Sequence, residues 1–434
     1  MTRVKRAFGT TFRSLHVRNF RLFFVGQLIS QIGTWLTTIA LTLLVLHITK
    51  SGIAIGVLVA CQFGPVLLFG AYGGVVADRA DKRRLLLLTQ TLQMLQSFTL
   101  AALAFSHDPP LWVFFVTAAA GGMILAFDNP ARRSFVAEMV PPDEVHNAVT
   151  LNTAIMTSAR IFGPAIAGVL VVTVGYGWAF TTDAISYLAV LAGLWMMRTS
   201  ELFTAPRSEK AKGQIRDGLR YIRRDPVLFV PLVMVTIVGT LTFNFSVTIP
   251  LFVEKTLHGG DTAYTLLYSV LSIGSLAGAL AAAHRRSVQV RHIVVAAYAF
   301  GAAMFVFAAA PQLLTAYPAA LFVGFTSVAF MTSATAIVQV ESDPSRRGRV
   351  LAIQSMVMIG STPIGGPILG AVCDALGARA GLVIGGLAAV GAALWGRGMV
   401  KRGPTSMSTP RLVGAGVPAA DQEPEVVGAE VSVA

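Results

Sequence analysis

A cluster of charged residues interrupts a long apolar run near residue 80, and it contains an acid that could bind a helix end. The segment from Gly74 to Arg84 reads Gly-Val-Val-Ala-Asp-Arg-Ala-Asp-Lys-Arg-Arg. Gly74 has no side chain and therefore allows two helices to approach closely. The charged residues of this segment that could form a gate are Asp78, Arg79, Lys82 and Arg83.

An acid among so many cations at the end of an apolar helix requires specific partners. For Asp78 we expect the unpaired N–H groups at the start of the helix near Val350, because the positive end of a helix dipole favours a carboxylate. Asp128 could pair with Arg79 or Arg83 in the same cluster. The alternative interpretation is a basic loop that only sets the orientation of the chain in a membrane.

A single arginine, Arg160, stands inside another apolar run. Even the lower estimates put the cost of an arginine at the centre of a membrane helix at about 2.5 to 3.5 kcal/mol, so Arg160 should face a cavity or a partner. We predict that it lines a substrate cavity. Gly163-Pro164 follows three residues later in the same apolar run.

Asp183 is the clearly embedded carboxylate of the sequence, while Asp374 lies near the outer end of its predicted helix. A proton antiporter needs an acid that can be protonated near neutral pH, which makes Asp183 the candidate coupling residue. It could lie beside Arg160, or it could only hydrogen-bond a helix end. No phosphate-binding Gly-rich loop or metal-ligand spacing occurs, so we expect no cofactor and an ion gradient as the energy source.

Polar residues recur on one face of the first predicted helix and of the seventh. In the first helix, steps of four, three and four place them on one stripe, which we predict lines a cavity. That stripe consists of Gln27, Gln31, Thr34 and Thr38. Its counterpart in the seventh predicted helix consists of Thr240, Asn244 and Thr248. Alternatively, such stripes hold neighbouring helices together through hydrogen bonds.

All of these groups lie within or beside long apolar runs. Hydrophobic residues make up 54% of the 434 residues and charged residues 13%, whereas soluble domains have roughly 25% charged residues. A bilayer core of about 30 Å requires about 20 apolar residues per helix, so a chain of this length accommodates about twelve membrane helices with short loops. The composition therefore predicts a membrane protein.

The apolar runs predict two sets of six helices on either side of a polar linker. The first set covers residues 22–46, 52–77, 85–106, 111–129, 148–174 and 177–197. The second set covers residues 228–254, 262–283, 292–310, 316–339, 350–374 and 378–396.

Five segments follow from this division. They are a basic N-terminus (1–21), a first six-helix bundle (22–197), a linker (198–227), a second six-helix bundle (228–396) and a disordered tail (397–434). In the linker, Ile215, Leu219 and Ile222 have helical spacing among arginines, which predicts an amphipathic helix on the inner leaflet. An ordinary solvated connector is the alternative.

The net charge of +13 raises the question of a nucleic-acid partner. If both termini face the cytoplasm, the inner segments hold 30 of the 34 Lys and Arg, and the outer loops hold only Lys50, Lys255 and Arg379. The positive-inside rule therefore predicts cytoplasmic termini. The basic residues reflect membrane topology, and we expect no nucleic-acid partner.

The two halves show a weak internal repeat. An offset of 204 aligns Gly70 and Gly74 with Gly274 and Gly278. An offset of about 202 aligns Gly163-Pro164 with Gly366-Pro367 to within one residue. Repeats of this kind build many secondary transporters, whose substrate site lies at the repeat interface.

The charged segment resembles the signature GxxxDRxGR[RK] of the major facilitator superfamily. The match holds at Gly74, Asp78, Arg79, Lys82 and Arg83 and departs at Asp81, where the family has Gly. Gly163-Pro164 resembles the core of the exporter motif GPxxGG of this superfamily, with Ala167 in place of one Gly. The resemblance implies that the Asp78 latch closes an inner gate.

Further segments resemble the branch that contains the enterobactin exporter and related bacterial drug and secretion permeases. They cover residues 129–141, 147–152, 218–224 and 347–350, and the resemblance extends from residue 18 to about 400. Relatives often carry an acid near Thr34, and its absence here weakens a proton site on the first helix.

We therefore predict an all-α polytopic membrane protein with about twelve transmembrane helices in two pseudo-symmetric six-helix bundles, the major facilitator fold. The resemblance implies a secondary active transporter that exports a small molecule, such as a drug, siderophore or secondary metabolite, by alternating access with proton antiport. The 26 Phe and 14 Met favour a lipophilic or amphipathic substrate.

Two alternatives stay open. One is a facilitator or importer in the same fold, and the other is a membrane-bound enzyme or a receptor. We expect a monomer in the bacterial inner membrane, with the lipid bilayer and a small-molecule substrate as its partners.

Overall fold

The computed structural model describes residues 12–106, 108–203, 214–283, 287–343, 346–402 and 411–412. Nearly all of these residues are helical, apart from short connections and two two-residue strands. The strands, β1 (Ser287–Val288) and β2 (Arg411–Leu412), pair antiparallel. Most of the predicted tail and residues 204–213 of the linker lie outside the described residues.

Six long helices form the first half of the chain. They are α1 (Arg18–Thr49), α2 (Gly52–Arg79), α3 (Lys82–Phe105), α4 (Leu111–Glu138), α5 (Val145–Val174) and α6 (Tyr176–Trp195). Consecutive helices run in opposite directions because the connections between them are short. Short 3-10 helices at Arg13–His16, Pro142–Glu144 and Thr199–Glu201 lie at one end of this bundle.

The second half begins with the linker helix α7 (Gln214–Arg224). Its membrane helices are α8 (Pro226–Leu241), α9 (Phe245–Leu251) with a π-helical turn at Phe252–Thr256, α10 (Asp261–Ala283), α11 (Val290–Ala309), α12 (Leu313–Glu341), α13 (Arg347–Leu376) and α14 (Ala378–Arg402). Since α8, α9 and the π-helical turn together form one interrupted crossing, this half also has six crossings.

By length and composition, nine helical stretches among the described residues could cross a membrane. They are α1, α2, α4, the α8–α9 crossing and α10 to α14, and α5 contains a shorter apolar stretch at Phe162–Val174. Large apolar side chains such as Trp112 and Trp195 are more than half exposed on the outside of the bundle. An apolar exterior of this kind is what a lipid-facing surface requires.

The two ends of the bundle differ in packing. We call the end that carries Asp78, Arg198 and Arg402 the basic end, and the end that carries Lys50 and Asp374 the far end. Toward the far end, one continuous apolar core contains residues of both halves. Within the second half this core also reaches the basic end, where it contains Val227 and Val290. The first-half residues at the basic end form a cluster of their own, and a further cluster contains second-half residues and α7. The halves are therefore packed together at the far end and separate toward the basic end.

The internal repeat is visible in matching helix contacts. In the second half, a Cβ on Gly274 or Gly278 would collide with carbonyl groups of α12. In the first half the corresponding collision, with the carbonyl of Ala126 on α4, is at Gly73 and not at Gly74. The close approach predicted at Gly74 is thus wrong by one residue, since a Cβ there would meet no described atom within 4 Å.

A second pair of repeat positions escaped the sequence analysis. Gly175 connects α5 to α6 with φ of +85°, and Gly377 connects α13 to α14 with φ of +88°. Glycine suits both positions because other residues adopt positive φ only with strain. The two turns are 202 residues apart, which agrees with the later of the two predicted offsets.

Candidate functional site

A buried ion pair lies inside the first half toward the basic end. Asp128 and Arg132, both on α4, contact each other with 0% and 6% of their side chains exposed. The Asp128 carboxylate also accepts hydrogen bonds from Thr89 and Gln90 of α3, each at 2.8 Å. The predicted pairing of Asp128 with Arg79 or Arg83 is wrong, because Asp128 points into the bundle and not toward the basic loop.

Arg132 connects this pair to the polar stripe of α1. Its guanidinium donates to the side-chain oxygens of Gln27 at 2.9 Å and Gln31 at 3.0 Å. Gln27 is 2% exposed, so it supports the ion pair from within the bundle in this conformation. Charge-assisted hydrogen bonds of this kind are strong when water is excluded.

Arg132 was not among the predicted site residues, because the fourth predicted helix ends at residue 129. In the structure α4 continues through Pro130 to Glu138. The i,i+4 spacing of Asp128 and Arg132 could have revealed the pair, since such residues share one helix face.

The other half of the α1 stripe lies further from the basic end. Thr34 and Thr38 are half-buried, and their hydroxyls donate to the carbonyls of Ser30 and Thr34 one turn earlier. The Thr34 hydroxyl also lies 3.5 Å from that of Tyr187 on α6. The half-buried members of the stripe, with Gln31 among them, remain predicted cavity-lining residues.

Asp183 lies in a polar pocket between α1, α3 and α6. Its Oδ2 accepts hydrogen bonds from Thr37 at 2.6 Å and Ser97 at 2.7 Å. It is 1% exposed, and its Oδ1 has no hydrogen-bond partner among the described residues. The carboxylate packs against Gly33, where a Cβ would collide with Asp183 Oδ1. Asp183 is in the middle of α6, so the alternative that it hydrogen-bonds a helix end is wrong.

The backbone of Arg160 belongs to α5, but its side chain lies outside the described residues. Its predicted contact with the cavity or with Asp183 therefore stays a prediction. Gly163 and Pro164 are buried in the same helix, and a Cβ on Gly163 would lie 2.5 Å from Cβ of Trp35 on α1. Gly163 thus allows α5 to pack closely against α1.

The charged loop around Asp78 is tied into its own half. Lys82 forms an ion pair with Glu138 at the end of α4, at 2.5 Å, and the pair is largely buried. Arg83 donates to the carbonyls of Leu194 at 2.7 Å and Trp195 at 3.2 Å, where α6 ends. These cations satisfy groups at helix C-termini, which favour positive charge.

Asp81 replaces the glycine of the family signature without disturbing the turn. Its φ is −64°, which any residue can adopt, and its side chain accepts from the N–H of Arg84 at 3.0 Å. Asp81 is therefore the N-cap of α3, a position that Asp favours. Beside it Asp78 is half-buried and Arg79 is exposed.

The start of α13, the predicted partner of Asp78, is packed against the linker helix. Val350 is buried in a cluster with Ile222 of α7, and the Arg346 guanidinium lies 5.0 Å from the centroid of the Tyr221 ring. The Tyr221 hydroxyl accepts from the backbone N–H of Asp343 at 3.2 Å. Ile222 of α7 thus rests on protein, whereas Leu219 is exposed and the Ile215 side chain lies outside the described residues. The amphipathic helix on the inner leaflet therefore stays a prediction.

The polar residues predicted on the seventh membrane helix mark a break in it. Asn244 lies between α8 and α9, is 1% exposed and donates to the carbonyl of Thr240 at 2.8 Å. Thr248 is 2% exposed and donates to the carbonyl of Asn244. Thr242 donates to the carbonyl of Gly385 on α14 at 2.8 Å. In this conformation Asn244 and Thr248 stabilise the broken helix, while Thr240 is more exposed.

Glycine contacts bring the halves together toward the far end. A Cβ on Gly56 of α2 would lie 2.5 Å from the Gly366 carbonyl oxygen and 2.7 Å from Cα of Pro367, both on α13. Gly52 and Gly370 meet in the same way one turn closer to the far end. The predicted motif residues Gly366 and Pro367 are therefore part of the interface between the halves.

Aromatic and aliphatic side chains close the interface nearer the middle of the bundle. The rings of Trp35 on α1 and Tyr268 on α10 lie 6.2 Å apart across the halves. A Cβ on Gly360 of α13 would lie 2.6 Å from Leu67 of α2. Beyond Leu67 toward the basic end, much of α2 is exposed, including Leu68 and Tyr72.

A cavity of about 820 Å³ opens at the far end between the two halves. Its polar lining residues include His47, Lys50, Tyr176, Glu254, His258 and Asp261. Lys50 pairs with Glu254 at 2.5 Å, and the Tyr176 hydroxyl donates to Asp261 at 2.6 Å. Both contacts join the first half to the second, so the charges that line this cavity are part of the far-end closure.

Comparison with known proteins identifies one family over almost the whole chain. The profile of the family described as Transmembrane secretion effector matches residues 9–407.

Among individual relatives, the staphyloferrin A transporter of Staphylococcus aureus is 24% identical over 60% of this chain and 66% of its own length, just under two-thirds. Macrolide efflux protein A of Streptococcus pyogenes is 19% identical over 85% of this chain and 92% of its own length. Among solved structures, a bacterial homologue of the human lysosomal transporter Spinster, in an inward-facing and unoccupied conformation, is similar with a TM-score of 0.67. The likeness covers 88% of this chain and 97% of that one at 15% identity, and it supports the fold.

Proposed function

This chain belongs to the transmembrane secretion effector family of the major facilitator superfamily, and we propose that it exports a small lipophilic or amphipathic molecule from a bacterial cell. Membership of the family makes it a multi-pass membrane transporter and not an enzyme. Efflux is supported by the names of its relatives, which include a siderophore transporter and a macrolide efflux protein.

The observation that carries the mechanism is the uneven packing of the two halves. One apolar core joins them toward the far end, whereas at the basic end the apolar cluster of the first half is separate from those of the second half. A substrate could enter between the halves from the basic end, and rocking of the halves would then open the far end. This arrangement supports alternating access.

The distribution of charge supports an orientation of the protein in the membrane. The basic end carries most of the arginines and lysines, and positive loops favour the cytoplasmic side of a bacterial inner membrane. Both termini would then lie in the cytoplasm and Lys50 outside. In this orientation the conformation described here receives substrate from the cytoplasm.

For energy we propose proton antiport through Asp183. The carboxyl group is enclosed by helices α1, α3 and α6, and hydroxyls of Thr37 and Ser97 hold one of its oxygens. Gain or loss of a proton would change the charge buried between these helices, which is a direct way to bias their packing. The protein would work as a monomer, without a cofactor, on a small-molecule substrate.

The proposal is tested by comparing cells that lack the protein with cells that overproduce it. We expect overproduction to lower the accumulation of one or more lipophilic compounds and to raise resistance to them, and a protonophore should abolish the difference. Accumulation that is equal in both strains across a broad compound panel would contradict export. Transport that continues in the presence of the protonophore would contradict proton antiport but would leave the export proposal standing.

The facilitator or importer alternative predicts another direction of flux. In everted membrane vesicles, an exporter accumulates its substrate when a proton gradient is imposed, because the cytoplasmic face points outward. A facilitator only equilibrates the compound, and an importer depletes the vesicle lumen.

A further inference from the structure

The carboxylate of Asp374 joins the two halves at the far end. Asp374 lies in the last turn of α13, directly beside the first turn of α2. It accepts hydrogen bonds from the backbone N–H groups of Gly52 at 2.8 Å and Ile53 at 2.9 Å. It also accepts from the hydroxyl of Ser51, the N-cap residue of α2, at 2.8 Å. Asp374 therefore binds the N-terminus of a helix that belongs to the other half.

The position is electrostatically favourable for an anion. The first N–H groups of a helix have no partner within the helix, and the helix dipole places partial positive charge there. Lys255, in the π-helical turn of the second half, adds an ion pair with Asp374 at 2.8 Å. About a fifth of the Asp374 side chain is exposed, so solvent screens these contacts only in part.

The neighbouring ion pair is more accessible to water. Lys50 and Glu254 also link the halves, but 57% and 30% of their side chains are exposed. Exposed pairs contribute little because water and salt screen them. Asp374 forms one ion pair and accepts three hydrogen bonds from the start of α2. Its contacts therefore join the halves more strongly than the Lys50–Glu254 ion pair does.

We propose that Asp374 is the far-end latch of the transport cycle. It caps α2 while the far end is closed, and this cap must break before the far end can open. The inference rests on the proposed alternating-access function and adds the residue that holds one of its two states.

The same two helices carry the expected latch at the basic end. Asp78 lies in the last turn of α2, and α13 begins at Arg347. Each of the two helices therefore has a carboxylate near its C-terminus that can cap the N-terminus of the other. In the proposed rocking motion, closing one latch separates the other, because the two latches lie at opposite ends of the same pair of helices.

A distance measurement tests the latch without any substrate. Spin labels would be attached at Asp108→Cys and Gln312→Cys, two exposed far-end positions on different halves, in a Cys61→Ala, Cys373→Ala background. Pulsed dipolar spectroscopy in lipid nanodiscs then gives the populations with the far end closed and open. We expect Asp374→Asn to raise the ratio of open to closed by roughly tenfold, as loss of a charge-assisted interaction implies.

Two matched variants separate the cap from the ion pairs. Glu254→Gln removes the exposed pair and should change the ratio by less than about twofold. The exchange Asp374→Lys with Lys255→Asp restores an ion pair but places a cation at the N-terminus of α2, so the far end should stay open. An unchanged distribution in Asp374→Asn, an equal effect of Glu254→Gln, or closure in the exchange variant would overturn the proposal.

The outcome is independent of the proposed direction and substrate. If the distances shift as expected but no compound is exported, the latch stands and the export proposal fails. If export is demonstrated and Asp374→Asn leaves the distances unchanged, the latch fails and the export proposal stands.

Discussion

Several buried polar side chains of the first half form ion pairs or hydrogen bonds with residues for which the sequence predicted other roles. Asp128 was predicted to belong to the charge cluster at the basic end, but its partner Arg132 follows Asn129-Pro130, which normally marks the end of a helix. The helix continues because the ion pair and the Lys82–Glu138 pair stabilise the segment after the proline. Contacts of this kind come from neighbouring helices, so the local sequence does not reveal them.

The Asp128–Arg132 pair gives a prediction for stability. Arg132→Gln leaves a buried carboxylate without its cation, and breaking a buried pair in this way costs about 3 to 5 kcal/mol. The double variant with Asp128→Asn should recover a large part of that loss. Thermal unfolding in detergent would measure both, with the exposed neighbour Arg133→Gln as the control. Equal melting temperatures for Arg132→Gln and Arg133→Gln would show that the pair does not contribute to stability.

Asp183 gives a prediction for coupling. Asp183→Asn keeps the hydrogen-bond acceptor for Thr37 and Ser97 but removes the ability to bind and release a proton. We expect exchange of substrate across the membrane to continue, while accumulation driven by a proton gradient falls by about tenfold or more. Vesicle transport with and without an imposed gradient separates the two activities. Gradient-driven accumulation at the wild-type rate would exclude Asp183 as the coupling acid.

At the level of elements, apolar periodicity predicted the existence of the long helices, but their ends and interruptions depend on neighbours. The seventh membrane crossing was predicted as one helix, and it breaks between Leu241 and Phe245. The break is compatible with burial because Gly385 provides an acceptor for Thr242 and Gly365 makes room for the Thr240 carbonyl. Such complementary surfaces appear only when the helices are packed.

The glycine contacts between α2 and α13 give a prediction about helix packing. Gly56→Val should force the helices apart, because a Cβ there would lie 2.5 Å from the Gly366 carbonyl oxygen. We expect a several-fold loss of transport with normal membrane insertion. The matched control is Gly64→Val on the same helix, where a Cβ would meet no described atom within 4 Å. If both variants transport equally well, the close packing is not required for the cycle.

The basic-end latch gives a prediction at the opposite ends of these helices. Asp78→Asn should abolish most transport while leaving insertion and expression intact, because the charge that would cap α13 in the alternate state is lost. The exposed neighbour Asp81→Asn keeps a side-chain N-cap and should be tolerated. Wild-type flux in Asp78→Asn would refute a role for this carboxylate in gating.

For the whole molecule, composition and apolar runs were sufficient to predict a helical membrane protein, and the motif at Gly74 to Arg83 provided the resemblance to the family. Hydropathy locates helices because each must satisfy its own backbone in lipid. The sequence could not predict which end of the bundle is closed. In the proposed cycle, the conformations closed at the far end and at the basic end consist of the same helices and differ only in the contacts between the halves. Those contacts, at Gly56, Trp35 and Asp374, became identifiable once the helices were assembled.

The central claim is that the two halves alternate between closure at the far end and closure at the basic end. It is tested by measuring two label pairs in the same membrane: Asp108→Cys with Gln312→Cys at the far end, and Arg84→Cys with Arg291→Cys at the basic end. Each pair is measured in acidic and in alkaline buffer. We expect any change of buffer that lengthens the far-end distance to shorten the basic-end distance, and the reverse. Distances that stay fixed under all conditions, or that grow together at both ends, would contradict the account.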